Sequence, residues 1–123
     1  TVKAITEAEA YNGPSIIIGY APCEMHSIKG GMTNSQNEIK KAVATGYWNL
    51  FRYNPALKAE GKNPFSLDSK APQGGYQEFL MSEARYARLK ASFPEKAERL
   101  FAANEKAANE RYDYLTRLVE LYK

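Results

Sequence analysis

Cysteine and histidine are nearly absent from this chain: 123 residues contain one of each, Cys23 and His26. A single cysteine excludes an internal disulfide, a usage that fits a reducing cytoplasm. It also excludes an all-cysteine metal cluster built from this chain alone, so any metal centre would draw ligands from elsewhere. Strong charge of one sign is missing too. The formal net charge is +3 with the basic residues spread along the chain, which gives no electrostatic footprint for nucleic acid. No apolar run approaches the roughly 20 residues of a membrane span, and the amino end carries no signal-peptide pattern. There is no initiator Met, and a helical pattern, Val2, Ile5 and Ala8 or Ala10 within Thr1 to Tyr11, starts with little preamble. The chain is therefore expected to begin inside an element. Its length suits one domain or a piece of one, with enough apolar content for a core but little to spare.

What is present centres on residues 15 to 32. Ser15-Ile16-Ile17-Ile18-Gly19-Tyr20, bounded by Gly13-Pro14 and Pro22, reads as a central, buried strand. β-branched side chains pack well on a pleated surface, and the run is too short for an independent helix. Pro22 cannot donate to a ladder, so pairing should stop there and leave Cys23 just past the carboxyl edge, where ligands collect in α/β sheets. A thiol so placed could be a nucleophile, a redox thiol, one ligand of a metal centre or a small packed hydrophobe. His26 is a candidate partner for the thiol or a loop side chain held by a hydrogen bond, and three residues of loop do not by themselves make the two face each other.

Ser35-Gln36-Asn37-Glu38 reads as a capping box opening a helix whose stripe is Ile39, Ala42 and Val43, with Gly46 as its carboxyl cap. Tyr47 to Tyr53 alternates and is aromatic, a second strand ending at Asn54-Pro55. Strand, helix and strand predict a partial parallel sheet with a right-handed crossover over residues 1–55. Residues 56–75, rich in Pro and Gly yet carrying Leu57, Phe65 and Leu67, predict an extended loop lying over another surface, with one short helical turn at Ala56 to Glu60. Residues 76–123 predict an antiparallel helical hairpin. One stripe runs through Tyr76, Phe79, Leu80, Ala84 and Ala87, Phe93-Pro94 makes the break, and Phe101, Ala108, Leu115 and Tyr122 recur at seven-residue spacing. The expected class is α/β, and no chemistry is visible in the hairpin itself.

Taken together, Tyr20-Ala21-Pro22-Cys23, His26, Lys29-Gly30-Gly31-Met32, Ser35-Gln36, Gly46-Tyr47-Trp48, Phe51 to Pro55, Glu60 to Phe65 and Leu67 to Lys70 resemble the carboxyl-terminal region of the pyruvate:ferredoxin (flavodoxin) oxidoreductase family. The resemblance covers nearly the whole chain. The run from Gly46 to Lys70 distinguishes it from oxidoreductases for other 2-oxoacids. Ser27 departs from the pattern, which has a glycine after the His.

The resemblance implies a fragment of a large enzyme that oxidatively decarboxylates pyruvate on thiamine diphosphate and Mg2+, forms acetyl-CoA from coenzyme A, and passes electrons through three [4Fe-4S] clusters to ferredoxin or flavodoxin. It implies that Cys23 is the remote fourth ligand of the cluster nearest the thiamine, that this chain supplies no catalytic or thiamine-binding residue, and that the fragment alone is inactive. It further implies a parent that is a cytoplasmic homodimer, with no nucleic-acid or membrane partner. An autonomous α/β interaction module with a packed Cys23 is the alternative. A Cys-His hydrolase ranks below both, since no orienting carboxylate or oxyanion pattern accompanies the pair.

Overall fold

Three helices in the last third of the chain carry the core, and the rest is laid against them. The computed structural model describes all 123 residues, Thr1–Lys123. In chain order the elements are α1 (Val2–Ala10), a 3-10 turn (Met32–Asn34), α2 (Ser35–Ala44), β1 (Phe51–Tyr53), α3 (Ala56–Ala59), β2 (Phe65–Leu67), α4 (Tyr76–Ser82), α5 (Ala84–Ser92) and α6 (Pro94–Leu121). Pro94 sits in the first turn of α6, where its missing N–H costs nothing, and the chain folds back there. α4 and α5 pack on α6 around Tyr76, Phe79, Leu80, Ala97, Phe101 and Ala108, joined by Ala42 of α2. Ala97 and Ala108 are the small residues on α6 that leave room for the aromatic side chains opposite. Polar links fix the hairpin register: the Tyr76 hydroxyl donates to Asn104 at 3.1 Å, and Gln77 donates to Glu105 at 2.6 Å.

The α/β class and the carboxyl-terminal hairpin are as expected, but the strand pairing differs. β1 pairs antiparallel with β2, Phe51 opposite Leu67 and Tyr53 opposite Phe65, so the sheet has two strands and no parallel crossover. The physical reason is local. Asn54-Pro55 turns the chain, α3 fills the connection, and Asn54 N–H donates to Pro64 at 2.9 Å, so residues 65–67 arrive beside β1 after a short excursion. Phe51 and Phe65 stack across the pair, and Asn63 donates to the Val119 carbonyl, docking the hairpin on the far end of α6. Residues 56–75 are thus not only loop; they contain α3 and β2 and lie over another surface, the end of α6.

Residues 14–19 make no strand. Ile16, Ile17 and Ile18 run without regular secondary structure or backbone hydrogen bonds, and they are 87%, 56% and 76% exposed. The run that composition marks as a buried strand therefore has no partner within this chain. Helix α1 is equally unpacked, with no buried residue. It is held by charge: Arg52 of β1 donates to Glu7 of α1 at 2.6 Å and, through Nε and Nη2, to both carboxylate oxygens of Asp68 at 2.7 and 2.8 Å. That pairing holds the Asp68 carboxyl below the usual carboxylate range.

The capping box at Ser35 is not formed. The 3-10 turn runs straight into α2, so Ser35 already has helical φ −55 and ψ −38, and Glu38 points inward. The carboxyl end of α2 is as expected: Gly46 has φ +79, a conformation that L side chains avoid, and a Cβ there would lie 2.8 Å from Pro72 Cγ.

Candidate functional site

The loop from Tyr20 to Lys29 carries both residues that composition singles out. Pro22 is buried beneath it, Cys23 is half-buried, and Glu24 to His26 form an exposed turn. The Ser27 N–H donates to the Cys23 carbonyl at 2.9 Å, closing the turn and bringing Cys23 Sγ to 3.0 Å from His26 Nδ1. The thiol and imidazole therefore do face each other. His26 makes no second side-chain hydrogen bond, so no carboxylate orients the ring. Ser27 has φ +65, the only non-glycine residue in the left-handed region. A glycine fits this backbone with less strain, which accounts physically for the glycine that the resemblance places here.

The loop is held by residues of the helical hairpin, in which sequence patterning showed no chemistry. Helix α4 stops at Ser82 and α5 starts at Ala84, leaving Glu83 alone in extended geometry, φ −87 and ψ 115. That single extended residue forms an antiparallel bridge with Ile28: Lys29 N–H donates to Ser82 at 2.8 Å and Ala84 N–H donates to Ser27 at 3.2 Å. The Glu83 side chain is fully buried and accepts a hydrogen bond from the Tyr20 hydroxyl. Its second oxygen lies 3.2 Å from Arg85 Nε, an ionic contact without hydrogen-bond alignment. Arg85 reaches on to donate to the Tyr47 hydroxyl at 3.0 Å, and Tyr47 shares a 2.7 Å hydrogen bond with Tyr86. The Tyr20 ring packs on Tyr47 and Trp48 at centroid distances of 5.6 and 5.9 Å. Burial first, and then the Glu83 carboxylate, hold the Tyr20 phenol well above its ordinary pKa; burial and the Tyr86 hydrogen bond do the same for Tyr47.

A second buried carboxylate lies next door. Glu38 of α2 is fully buried and accepts from the Ser82 hydroxyl, with Lys41 Nζ at 3.7 Å from its other oxygen. Ser82 and Glu83 together tie α2 and the Cys23 loop to the α4–α5 break. The signal for both acids was available. Glu83 falls on the face of Tyr76, Phe79, Leu80 and Ala87, and Glu38 on the face of Ala42, so each is an acid in an apolar register. No group of three or more Cys, His, Asp or Glu side chains able to hold a metal exists in the chain.

No protein-family model matches the chain. Individual proteins do. Over 119 residues, 97% of this chain, it is 56% identical to the pyruvate:ferredoxin oxidoreductase of Moorella thermoacetica. It corresponds to a segment of the pyruvate:ferredoxin (flavodoxin) oxidoreductases. The pyruvate-flavodoxin oxidoreductase of Klebsiella pneumoniae is 48% identical over 96% of the chain, and the mitochondrial pyruvate dehydrogenase [NADP(+)] of Euglena gracilis is 45% identical over 97%. The chain spans 10% of the length of the first two proteins and 7% of the third, so in these oxidoreductases it is a small part of a large polypeptide. No helix of the chain is long and apolar enough to cross a membrane.

Proposed function

We propose that this segment lends one iron ligand, the Cys23 thiolate, to a [4Fe-4S] cluster whose other ligands lie elsewhere in a pyruvate:ferredoxin (flavodoxin) oxidoreductase. The observation that carries the reading is the presentation of Cys23: the only thiol of the chain, half-exposed, on a turn whose two ends are fixed to the core. The donor chemistry fits one iron. Thiolate is the usual ligand of such clusters, and a chain with a single thiol can contribute one bond but cannot hold the group alone. When bound, the cluster supplies one-electron transfer; this chain's part is to aim the sulfur.

In this reading the thiamine diphosphate and Mg2+ sites, and the binding of pyruvate and coenzyme A, belong to the rest of a cytoplasmic, homodimeric parent that reduces ferredoxin or flavodoxin. The segment alone has no turnover. The bare Ile16–Ile18 run supports that dependence, because an autonomous interaction module would have no reason to leave a strand-forming triplet unpaired. We place this run as a strand in a sheet completed by the rest of the parent.

Cys23→Ser in the full-length enzyme tests the ligand assignment. Iron content should fall by one cluster, and electron paramagnetic resonance of the reduced enzyme should lose one of its signals while the others persist. An unchanged iron content and spectrum would reject the assignment.

A further inference from the structure

The sequence reads residues 76 to 92 as one continuous helix, yet the helix is interrupted at a single residue, and that break grips the Cys23 loop twice. The backbone on either side of Glu83 bonds the loop's carboxyl end, Lys29 N–H donating to the Ser82 carbonyl and Ala84 N–H to the Ser27 carbonyl, and the Glu83 carboxylate holds the amino end by accepting from Tyr20. Cys23 lies between these two anchors. The grip is itself braced: Glu83 is fully buried, Arg85 faces its free oxygen at 3.2 Å, and Ser82 beside it is bonded to the buried Glu38. Such a network is more than packing requires. A buried acid set against a tyrosine and an arginine is costly to desolvate and holds one geometry when satisfied.

We propose that the Glu83 carboxylate positions the Cys23 sulfur, acting through Tyr20 beside the backbone bonds of Ser82 and Ala84 and touching neither the thiol nor the metal. The inference rests on the reading of Cys23 as an iron ligand. A ligand contributed from a distant part of the chain binds in proportion to its effective concentration at the metal, and pinning both ends of its loop to one rigid point raises that concentration. Partners that orient metal ligands typically change metal affinity by about 10- to 100-fold when removed. Tyr20 carries the more testable half of the grip, because Tyr20→Phe deletes one hydroxyl and keeps the ring packed on Tyr47 and Trp48.

The experiment compares four variants of the full-length enzyme, Tyr20→Phe, Glu83→Ala, Cys23→Ser and Tyr76→Phe, for iron release to a chelator, for the electron paramagnetic resonance of the reduced clusters, and for the unfolding midpoint. Tyr76→Phe is the control, deleting a core hydroxyl that bonds Asn104 and not the loop. Cys23→Ser identifies which signal belongs to the Cys23 cluster. Tyr20→Phe and Glu83→Ala are expected to keep that signal, altered in shape, and to release its iron about 10- to 100-fold faster, with the other clusters unaffected. Tyr76→Phe should match the unaltered enzyme in iron release. If Cys23→Ser removes a cluster while Tyr20→Phe and Glu83→Ala release iron at the unaltered rate, the positioning role is overturned and the ligand reading stands. Equal acceleration at every cluster with a lowered unfolding midpoint would also overturn it, leaving a general stabilising role. If Cys23→Ser leaves every cluster in place, the ligand reading fails and takes the positioning role with it.

Discussion

Ile17→Asp separates the chain on its own from the chain within its parent. Ile16, Ile17 and Ile18 are 87%, 56% and 76% exposed, so what they leave uncovered amounts to about two isoleucine side chains, worth roughly 3–6 kcal/mol of hydrophobic free energy when a sheet covers them. In the 123-residue chain the aspartate would stand in water, and its effect on stability should stay within about 0.5 kcal/mol, the range of ordinary surface substitutions. In the full-length oxidoreductase the same change would strip an apolar side chain from a buried strand and place a carboxylate there without a partner, a loss of more than about 4 kcal/mol. Thermal and denaturant unfolding of both forms, followed by circular dichroism, measures the two values. A large destabilisation of the 123-residue chain would mean that the run is already buried within it, and an unaffected parent would mean that no strand forms. Either result would refute the placement of residues 15–20 in a shared sheet.

Gly46→Ala should destabilise the chain by about 2 kcal/mol or more in denaturant titration, because it adds the left-handed penalty to a clash at 2.8 Å from Pro72 Cγ. Ser27→Gly relieves the opposite problem at φ +65; the gain of about 1–2 kcal/mol is partly offset by unfolded-state entropy, so unfolding should shift up by about 0.5–1 kcal/mol. Alkaline pH should unfold the protein through its phenols. Tyr20 and Tyr47 are held well above the ordinary value of 10.0, and Tyr76 is pushed up to about 12, in each case first by burial. Their folded pKa values are raised, so the stability they confer is complete below pH 10.0 and is lost as pH climbs toward and past 12, by about 1.4 kcal/mol per pH unit for each phenol that only the unfolded state ionises. Tyrosinate absorbance should rise together with loss of helix; a smooth titration of all tyrosines in the folded state would contradict the burial argument.

Elements whose pattern is satisfied inside the chain were legible. The hairpin follows from the stripe at Tyr76, Phe79 and Leu80, the break at Pro94 and the spacing of Phe101, Ala108 and Leu115, because those residues find their partners within fifty residues of sequence. Ile16 to Ile18 carry an equally clear pattern, but a strand is defined by what it pairs with, and this chain offers no pair. The strand expected over Tyr47–Tyr53 shortens to Phe51–Tyr53, since Tyr47 and Trp48 turn inward to meet Tyr20 and Phe79. Cys23 and His26 could be named as candidates from rarity and position alone, whereas their 3.0 Å contact depends on the turn closed by Ser27. Glu83 could be singled out as an acid in an apolar register, but the helix break there was hidden: helix-forming residues on both sides disguise the one extended residue between them, and only the bridge to Ile28 explains why the helix breaks.

Arg52 leaves a mechanical signature on the amino end. Helix α1 buries none of its residues, and the guanidinium that reaches Glu7 also spends its other donors on Asp68, so the helix is moored by an ionic tie with no apolar seat beneath it. An ionic mooring at the surface is worth about 0–1 kcal/mol and weakens as salt shortens the screening length. The angle at which α1 leaves the body is therefore cheap to reset, and the chain on the amino side of the Ile run can be swung into place by whatever covers it without first breaking a core.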